Sequence, residues 1–171
     1  MSRLDSFIRR LLAQRACLDR AAVLVGGVPG PVVELGLGNG RTYDHLRQIL
    51  PERRIYVFER APAAHPLCTP AAGYLVVGDF AETLPGAVTR LGGPAALIHA
   101  DVGSGDETAN ARLAAWLGPL IVPMLAEGGI ITSDQRLTAE GLAPQPVPAE
   151  ADKGRYYLYR RTAMARRAAA S

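Results

Sequence analysis

Lysine is almost missing from this chain of 171 residues: Lys153 stands alone beside eighteen arginines. No Tyr-x-x-x-Lys pair exists, which counts against a nicotinamide-dependent oxidoreductase. Cysteine is scarce too. Cys17 and Cys68 have no metal-ligand spacing and form no disulfide framework, so a soluble protein in a reducing, cytoplasmic setting is expected. No apolar run approaches the ~20 residues that span a bilayer, so no membrane partner is expected. Arginines interrupt the apolar residues of the N-terminus, against a signal peptide, and Asp5 and Asp19 oppose a mitochondrial presequence. Internal repeats are absent.

Acids are missing from residues 155–171, which hold five arginines. Residues 1–20 carry a net +3 and residues 21–154 a net −5, within a total of +3. The basic character therefore lies in the two ends, and the body is acidic. Basic ends suit nucleic acid. More often such arginines are a solvated helix face or tail, and nucleic acid is not the expected partner. An acidic body suits a cationic ligand. The length fits one domain, residues 1–171, with a real core. Residues 1–25 read as an N-terminal helix and residues 162–171 as a tail.

The richest stretch is 31–60, PVVELGLGNGRTYDHLRQILPERRIYVFER. Val32 and Val33 read as a buried strand. A glycine-rich turn follows from Glu34 to Gly40. A helix is expected from Arg41 to Leu50, with Tyr43, Leu46, Ile49 and Leu50 on one side and Pro51 as its stop. Residues 55–58 make a second apolar strand, ending on Glu59. Glycines at the carboxyl end of a first strand allow close approach of backbone to ligand, and the helix amides beyond them suit a carboxylate or phosphate. Glu59, 19 residues past Gly40, is placed to hold a ribose diol. Spacing selects the cofactor. A dinucleotide fingerprint starting at Gly36 needs glycine at position 41, where Arg41 stands.

The pattern E-x-G-x-G-x-G resembles the first motif of class I S-adenosylmethionine-dependent methyltransferases. The resemblance covers about residues 32–132 well and the last strand loosely. It implies a Rossmann-like, doubly wound α/β fold: a mostly parallel sheet with an antiparallel C-terminal strand, in three α/β/α layers. It implies S-adenosyl-L-methionine as cofactor and S-adenosyl-L-homocysteine as product. Cofactor contacts are expected from Glu34, Gly36, Gly38, Asn39, Gly40, Thr42, Glu59, Arg60, Asp79, Phe80 and Asp101. In this pattern Asp79, after a third strand at 74–77, takes the adenine amino group and Phe80 lies against the ring. A helix cap is the alternative role for Asp79.

Elsewhere, residues 2–25 read as an amphipathic helix with Leu4, Phe7, Ile8, Leu11, Leu18 and Ala22 at helical spacing. In the resembled family such a helix often helps cover the site. Three prolines between 61 and 73 exclude a long helix, leaving His65 and Cys68 exposed or lightly packed. A short helix is expected at 85–91, a strand at 95–100 ending on Asp101, and a helix at 107–117 that restarts at Pro119 and runs to Ala126. Gly128 and Gly129 turn into a strand at 130–132. Three prolines in 141–148 make that segment an edge or a loop, and 156–160 is the antiparallel candidate.

The resemblance implies in-line methyl transfer, mostly by positioning, to a small-molecule acceptor. Asp101 is the candidate base. His45 and His99 are poorer ones, His99 fitting the core of its strand. Asp101 and Asp134, with Gln135, end adjacent strands and are candidate Mg²⁺ ligands. The competing roles are a cofactor contact or helix cap for Asp101 and a solvent-facing acid for Asp134. A non-catalytic binding module and a nucleic-acid methyltransferase are the alternative functions. The latter lacks its Asn/Asp-Pro-Pro-aromatic signature, since Asp101-Val102-Gly103-Ser104 stands there. A homo-oligomer through the N-terminal helix is a further expectation.

Overall fold

The structure is a computed structural model that describes residues 2–151 and 154–163. The tail from 164 onward and Lys153 lie outside the described residues. Helix α1 (Arg3–Leu24) opens with a full capping box, Ser2 and Asp5 each bonding the other's backbone N–H. Then come β1 (Val32–Leu35), α2 (Arg41–Ile49), β2 (Ile55–Glu59), β3 (Leu75–Val77), α3 (Phe80–Thr83), α4 (Ala87–Leu91), β4 (Ala95–Ala100), α5 (Glu107–Ile121), β5 (Leu125–Ser133), β6 (Leu142–Gln145) and β7 (Tyr157–Arg161).

The strands form one sheet in the order β3-β2-β1-β4-β5-β7-β6. The first five are parallel, and β7 is antiparallel to both neighbours. The expected fold class is therefore present, with an edge strand, β6, added beyond the antiparallel one. Pro144 sits in that edge strand, where its missing N–H costs no central ladder bond. Alternation along β1 explains the layers. Val33 and Leu35 face a core with Leu91, Leu117 and Ile121 of α4 and α5. Val32 faces the opposite core, with Ala13, Cys17 and Leu18 of α1 and Leu46 of α2. The order reverses between β1 and β4, and ligands bind at such a switch point. Gly36 and Asp101 stand there, directly beyond the two strands.

Four local expectations change. The first strand runs on through Glu34, so this residue is inside β1 and not in the turn. Pro119 does not interrupt α5. Gly118 precedes it without a Cβ to meet the proline ring, and its carbonyl still accepts from Val122. The chain then passes through a single 3₁₀ turn, Val122–Met124, so Ala126 belongs to a strand. Gly128 and Gly129 sit within β5 as a bulge: Ala95 pairs Leu125, yet Leu97 pairs Ile130. Gly128 has φ +76°, and a Cβ on Gly129 would lie 3.0 Å from the Ala96 carbonyl oxygen. Finally, the helix that Asp79 caps is the single turn α3, and α4 starts two residues late.

Candidate functional site

Two cavities open at the carboxyl ends of the parallel strands and meet at Gly36. The larger, about 360 Å³, is lined by Gly36, Glu59, Arg60, Asp79, Phe80, Val102, Leu113 and Trp116. Five of these were expected from sequence. The turn between β1 and α2 is fixed by positive φ at Gly36 (+83°), Gly38 (+52°) and Gly40 (+79°), values that side chains strongly disfavour. Glu59 locks this turn from β2: its Oε2 accepts from Leu37 N at 2.8 Å and Gly38 N at 3.3 Å, and Oε1 from Ala61 N at 2.9 Å. Burial alone would raise the Glu59 pKa, but these backbone donors outweigh it and hold the carboxyl below its usual value. Oε2 is taken by two backbone donors, and Oε1 is the oxygen that keeps an acceptor site for a further donor. Asp79 combines its two expected settings. Its Oδ1 caps α3 by accepting from Ala81 N at 2.9 Å, while the residue lines the cavity beside Phe80.

The smaller cavity, about 180 Å³, has walls from distant parts of the chain: Phe7, Arg10, Leu11 and Gln14 of α1, the turn from Gly36 to Asn39, Arg41, Thr42, and Asp101. Arg10 Nη2 donates to Asp101 Oδ1 at 2.6 Å, and Gln14 Nε2 donates to Asp101 Oδ2. Burial lowers the Arg10 pKa, but the Asp101 charge outweighs it and the net shift is upward. Gly40 does not line either cavity. It caps α2, and a Cβ there would lie 2.5 Å from the Cys68 carbonyl oxygen. Glu34 is fully buried beneath the turn, where its Oε1 accepts from Thr42 Oγ1.

Asp101 and Asp134 do face one another beyond β4 and β5. Burial first, and the Asp101 charge second, push the Asp134 pKa up to about 6. These acids are poorly set for the candidate Mg²⁺, which sequence reasoning ranked below their competing roles. Asp134 already accepts from Val102 N, Gly103 N and Gln135 Nε2, and Asp101 from Arg10 and Gln14. Gln135 thus turns its amide nitrogen, not its oxygen, to the pair. Among the described residues no group of three or more His, Cys, Asp or Glu is placed to hold a metal ion. The two candidate histidines are structural. His45 Nε2 lies 2.7 Å from Asp19 and ties α2 to α1, and His99 is buried against Tyr156.

Sequence reasoning missed Arg10, Gln14, Leu113 and Trp116. Gln14 left a trace: it is the one polar residue in the buried face of α1, with Ala13, Cys17, Leu18 and Ala21. Trp116 follows Leu113 by one helical turn, but nothing local aims that face at a ligand.

The chain matches the model of a family described as S-adenosyl-L-methionine methyltransferase over residues 1–161. It resembles the crystal structure of an S-adenosyl-L-methionine methyl transferase from Silicibacter pomeroyi DSS-3. The two share 52% sequence identity and a TM-score of 0.89, over 94% of this chain and 99% of that one. Human methyltransferase-like protein 13, solved with S-adenosylhomocysteine (SAH), shares the fold at 13% identity and a TM-score of 0.55, over 95% of this chain and 84% of that one. A search of curated proteins returns no match. The glycine turn, the acid closing β2 and the strand order therefore have one explanation: this chain belongs to the S-adenosyl-L-methionine methyltransferase family and is an S-adenosyl-L-methionine-dependent methyltransferase.

Proposed function

We propose that this methyltransferase acts on a small molecule, and that the cofactor lies across Gly36 with its adenosine in the larger cavity and its amino-acid end in the smaller one. S-adenosylmethionine supplies an electrophilic methyl group. The observation that carries the placement is the opposite chemistry of the two cavities. In the larger, Glu59 accepts from a ribose diol, Asp79 accepts from the adenine amino group, and Phe80 and Trp116 offer ring faces. Arg60, Gly38, Asn39 and Thr42 complete the rim. In the smaller, Arg10 and Asp101 present opposite charges 2.6 Å apart, which suits a carboxylate beside an ammonium. Gly40 and Glu34 act one layer below, by shaping the turn.

Asp101 serves here as an anchor; its role as a base is second, because Arg10 and Gln14 already occupy both of its oxygens. Catalysis then rests on holding acceptor and methyl carbon at reacting distance. Residues 1–171 act as one domain, in the cytoplasm. The segments following β4 and β5 at the mouth are short, which suits a small acceptor. A second copy is the proposed cover for the apolar face of α1, where Leu4, Phe7 and Ile8 are 65%, 45% and 46% exposed. Light scattering tests that point, and a monomer at assay concentrations removes it.

Calorimetry with S-adenosylmethionine, SAH, adenosine and NAD tests the placement. Tight SAH binding that weakens in both Glu59→Ala and Asp101→Asn is expected, with NAD far weaker. Radiolabelled methyl transfer into cell extracts tests the acceptor class. Label in the small-molecule fraction is expected; label confined to nucleic acid or protein overturns that reading.

A further inference from the structure

A third cavity, about 380 Å³, lies at the far edge of the sheet and shares no lining residue with the two at Gly36. Its floor is the β6–β7 pair, and its wall is the segment from Arg136 to Ala139 that follows β5. Strand register fixes where it is. Leu35 pairs Ala100, Ala100 pairs Ser133, and Ser133 pairs Tyr157. Tyr157 therefore stands three strand spacings, about 14 Å, from the end of β1. The volume is that of a small-molecule pocket, away from the cofactor site.

Two tyrosines dominate the floor. Tyr157 and Tyr159 are two apart on β7, so both point to one face. Their rings lie within 16° of parallel, with centroids 6.3 Å apart. Each hydroxyl is anchored. Tyr159 accepts from Leu137 N at 3.0 Å, and Tyr157 donates to the Gly154 carbonyl oxygen at 3.2 Å. Rings held in this way are set before a ligand arrives, and they favour another aromatic ring as neighbour. Among the described residues that line the cavity, Arg136 is the one charged side chain. It is exposed, and its guanidinium makes no ion pair or hydrogen bond among the described residues. An uncommitted guanidinium beside ring faces suits a carboxylate carried on an aromatic body.

A strand from a second copy is the other way to cover such an edge, since β6 is the last strand of the sheet. The backbone opposes it. Gly141 O accepts from Thr162 N of the β7 side, and bonded positions alternate along an antiparallel pair. Leu142 and Pro144 thus turn their backbone groups outward, and Pro144 has no N–H to give. A proline at that position blunts strand addition.

We propose that this cavity is a second small-molecule site, which takes an aromatic carboxylate with its ring against Tyr157 and Tyr159 and its anion on Arg136. The ligand binds there independently of the cofactor, wherever the cofactor's two ends lie.

Calorimetry on the full chain tests it, with 2-naphthoate as the probe, alone and in saturating SAH. One site of equal affinity under both conditions is expected. The matching alcohol, 2-naphthalenemethanol, keeps the rings without the charge and is expected to bind about fivefold more weakly. The decahydro analogue of the probe keeps the charge without the aromatic plane and is expected to bind about tenfold more weakly. Arg136→Gln is expected to weaken 2-naphthoate about fivefold and to leave the alcohol unchanged, so that the two probes converge. Tyr157→Leu is expected to weaken both aromatic probes about fivefold. Thermal melts check that each variant folds, and Arg136, being exposed, decides the matter if Tyr157→Leu does not. No 2-naphthoate binding at millimolar concentration, displacement of the probe by SAH, equal affinity for the alcohol, or a folded Arg136→Gln with wild-type affinity overturns the site.

Discussion

The two cavities that meet at Gly36 are built in different ways. The larger takes most of its polar lining from residues that close β1, β2 and β3 in turn, each delivered by its own strand. The smaller is assembled from α1, the glycine turn and the end of β4, and its central contact joins Arg10 to Asp101, 91 positions apart. A strand end is fixed by the sheet, so its side chain needs little else to be in place. A helix laid across the sheet is fixed only by packing and by the polar bonds it makes. The larger cavity is therefore expected to survive most local changes, and the smaller one to respond to changes anywhere along its supports.

The sharpest separation comes from the turn the cavities share. Gly40→Ala would set a Cβ 2.5 Å from the Cys68 carbonyl oxygen at φ +79°, and a loss of about 3 kcal/mol in urea unfolding is expected. Gly38→Ala meets nothing within 4 Å at φ +52°. It is expected to cost about 1 kcal/mol of stability while still blocking backbone approach to the cofactor. Equal stabilities for the two variants would mean that the packing of Cys68 on the turn is wrong.

Next in size is Glu59→Ala. The loss of charge-assisted bonds is expected to weaken both adenosine and SAH by about 1.5–3 kcal/mol, read by calorimetry. Arg10→Gln should discriminate the cavities. Its side chain is 47% exposed, so the loss is held to about 1 kcal/mol by solvent screening. It is expected for SAH and absent for adenosine. Equal effects on both ligands would erase the division drawn here.

The smallest effect is a pH dependence. The Asp134 pKa rises from the usual 3.8 to about 6, so between those values the folded protein binds more protons than the unfolded chain. Stability contributed by this group is then greatest below pH ~4 and falls as pH rises through about 6. Asp134→Asn is expected to remove that slope and to gain of order 1 kcal/mol at pH 8 relative to pH 4. An unchanged pH profile in thermal melts would show that Asp134 is not held against Asp101.

The larger cavity was largely legible because its information is local. Glycines, a strand period and an acid at a fixed distance specify Gly36, Glu59 and Asp79 within a few dozen residues. In the smaller cavity Gly36, Gly38, Asn39, Thr42 and Asp101 were expected, but the wall from α1 was legible only as the expectation that a leading helix covers the site. Nothing near Arg10 or Gln14 in sequence reveals the partner Asp101, since that meeting depends on how α1 crosses β4. The same reason explains the error at Pro119. Proline propensity argues for a break, but Gly118 and the packing of Ile121 and Leu117 in the core carry α5 through it. Burial likewise decided Glu34. Its place in a glycine motif suggested a surface turn, whereas register with Val57 and His99 puts it between two neighbouring strands.

Trp116 has a consequence of an optical kind. It is the sole tryptophan of the chain, it lines the larger cavity, and it is 41% exposed to water. Indole emission depends on local polarity, and here it has a single source. With adenosine seated as proposed, water leaves the ring and the purine acts as a quencher, so the cavity reports its own occupancy. Light emitted on excitation of the native protein, without dye or label, would then follow cofactor entry and product release in real time.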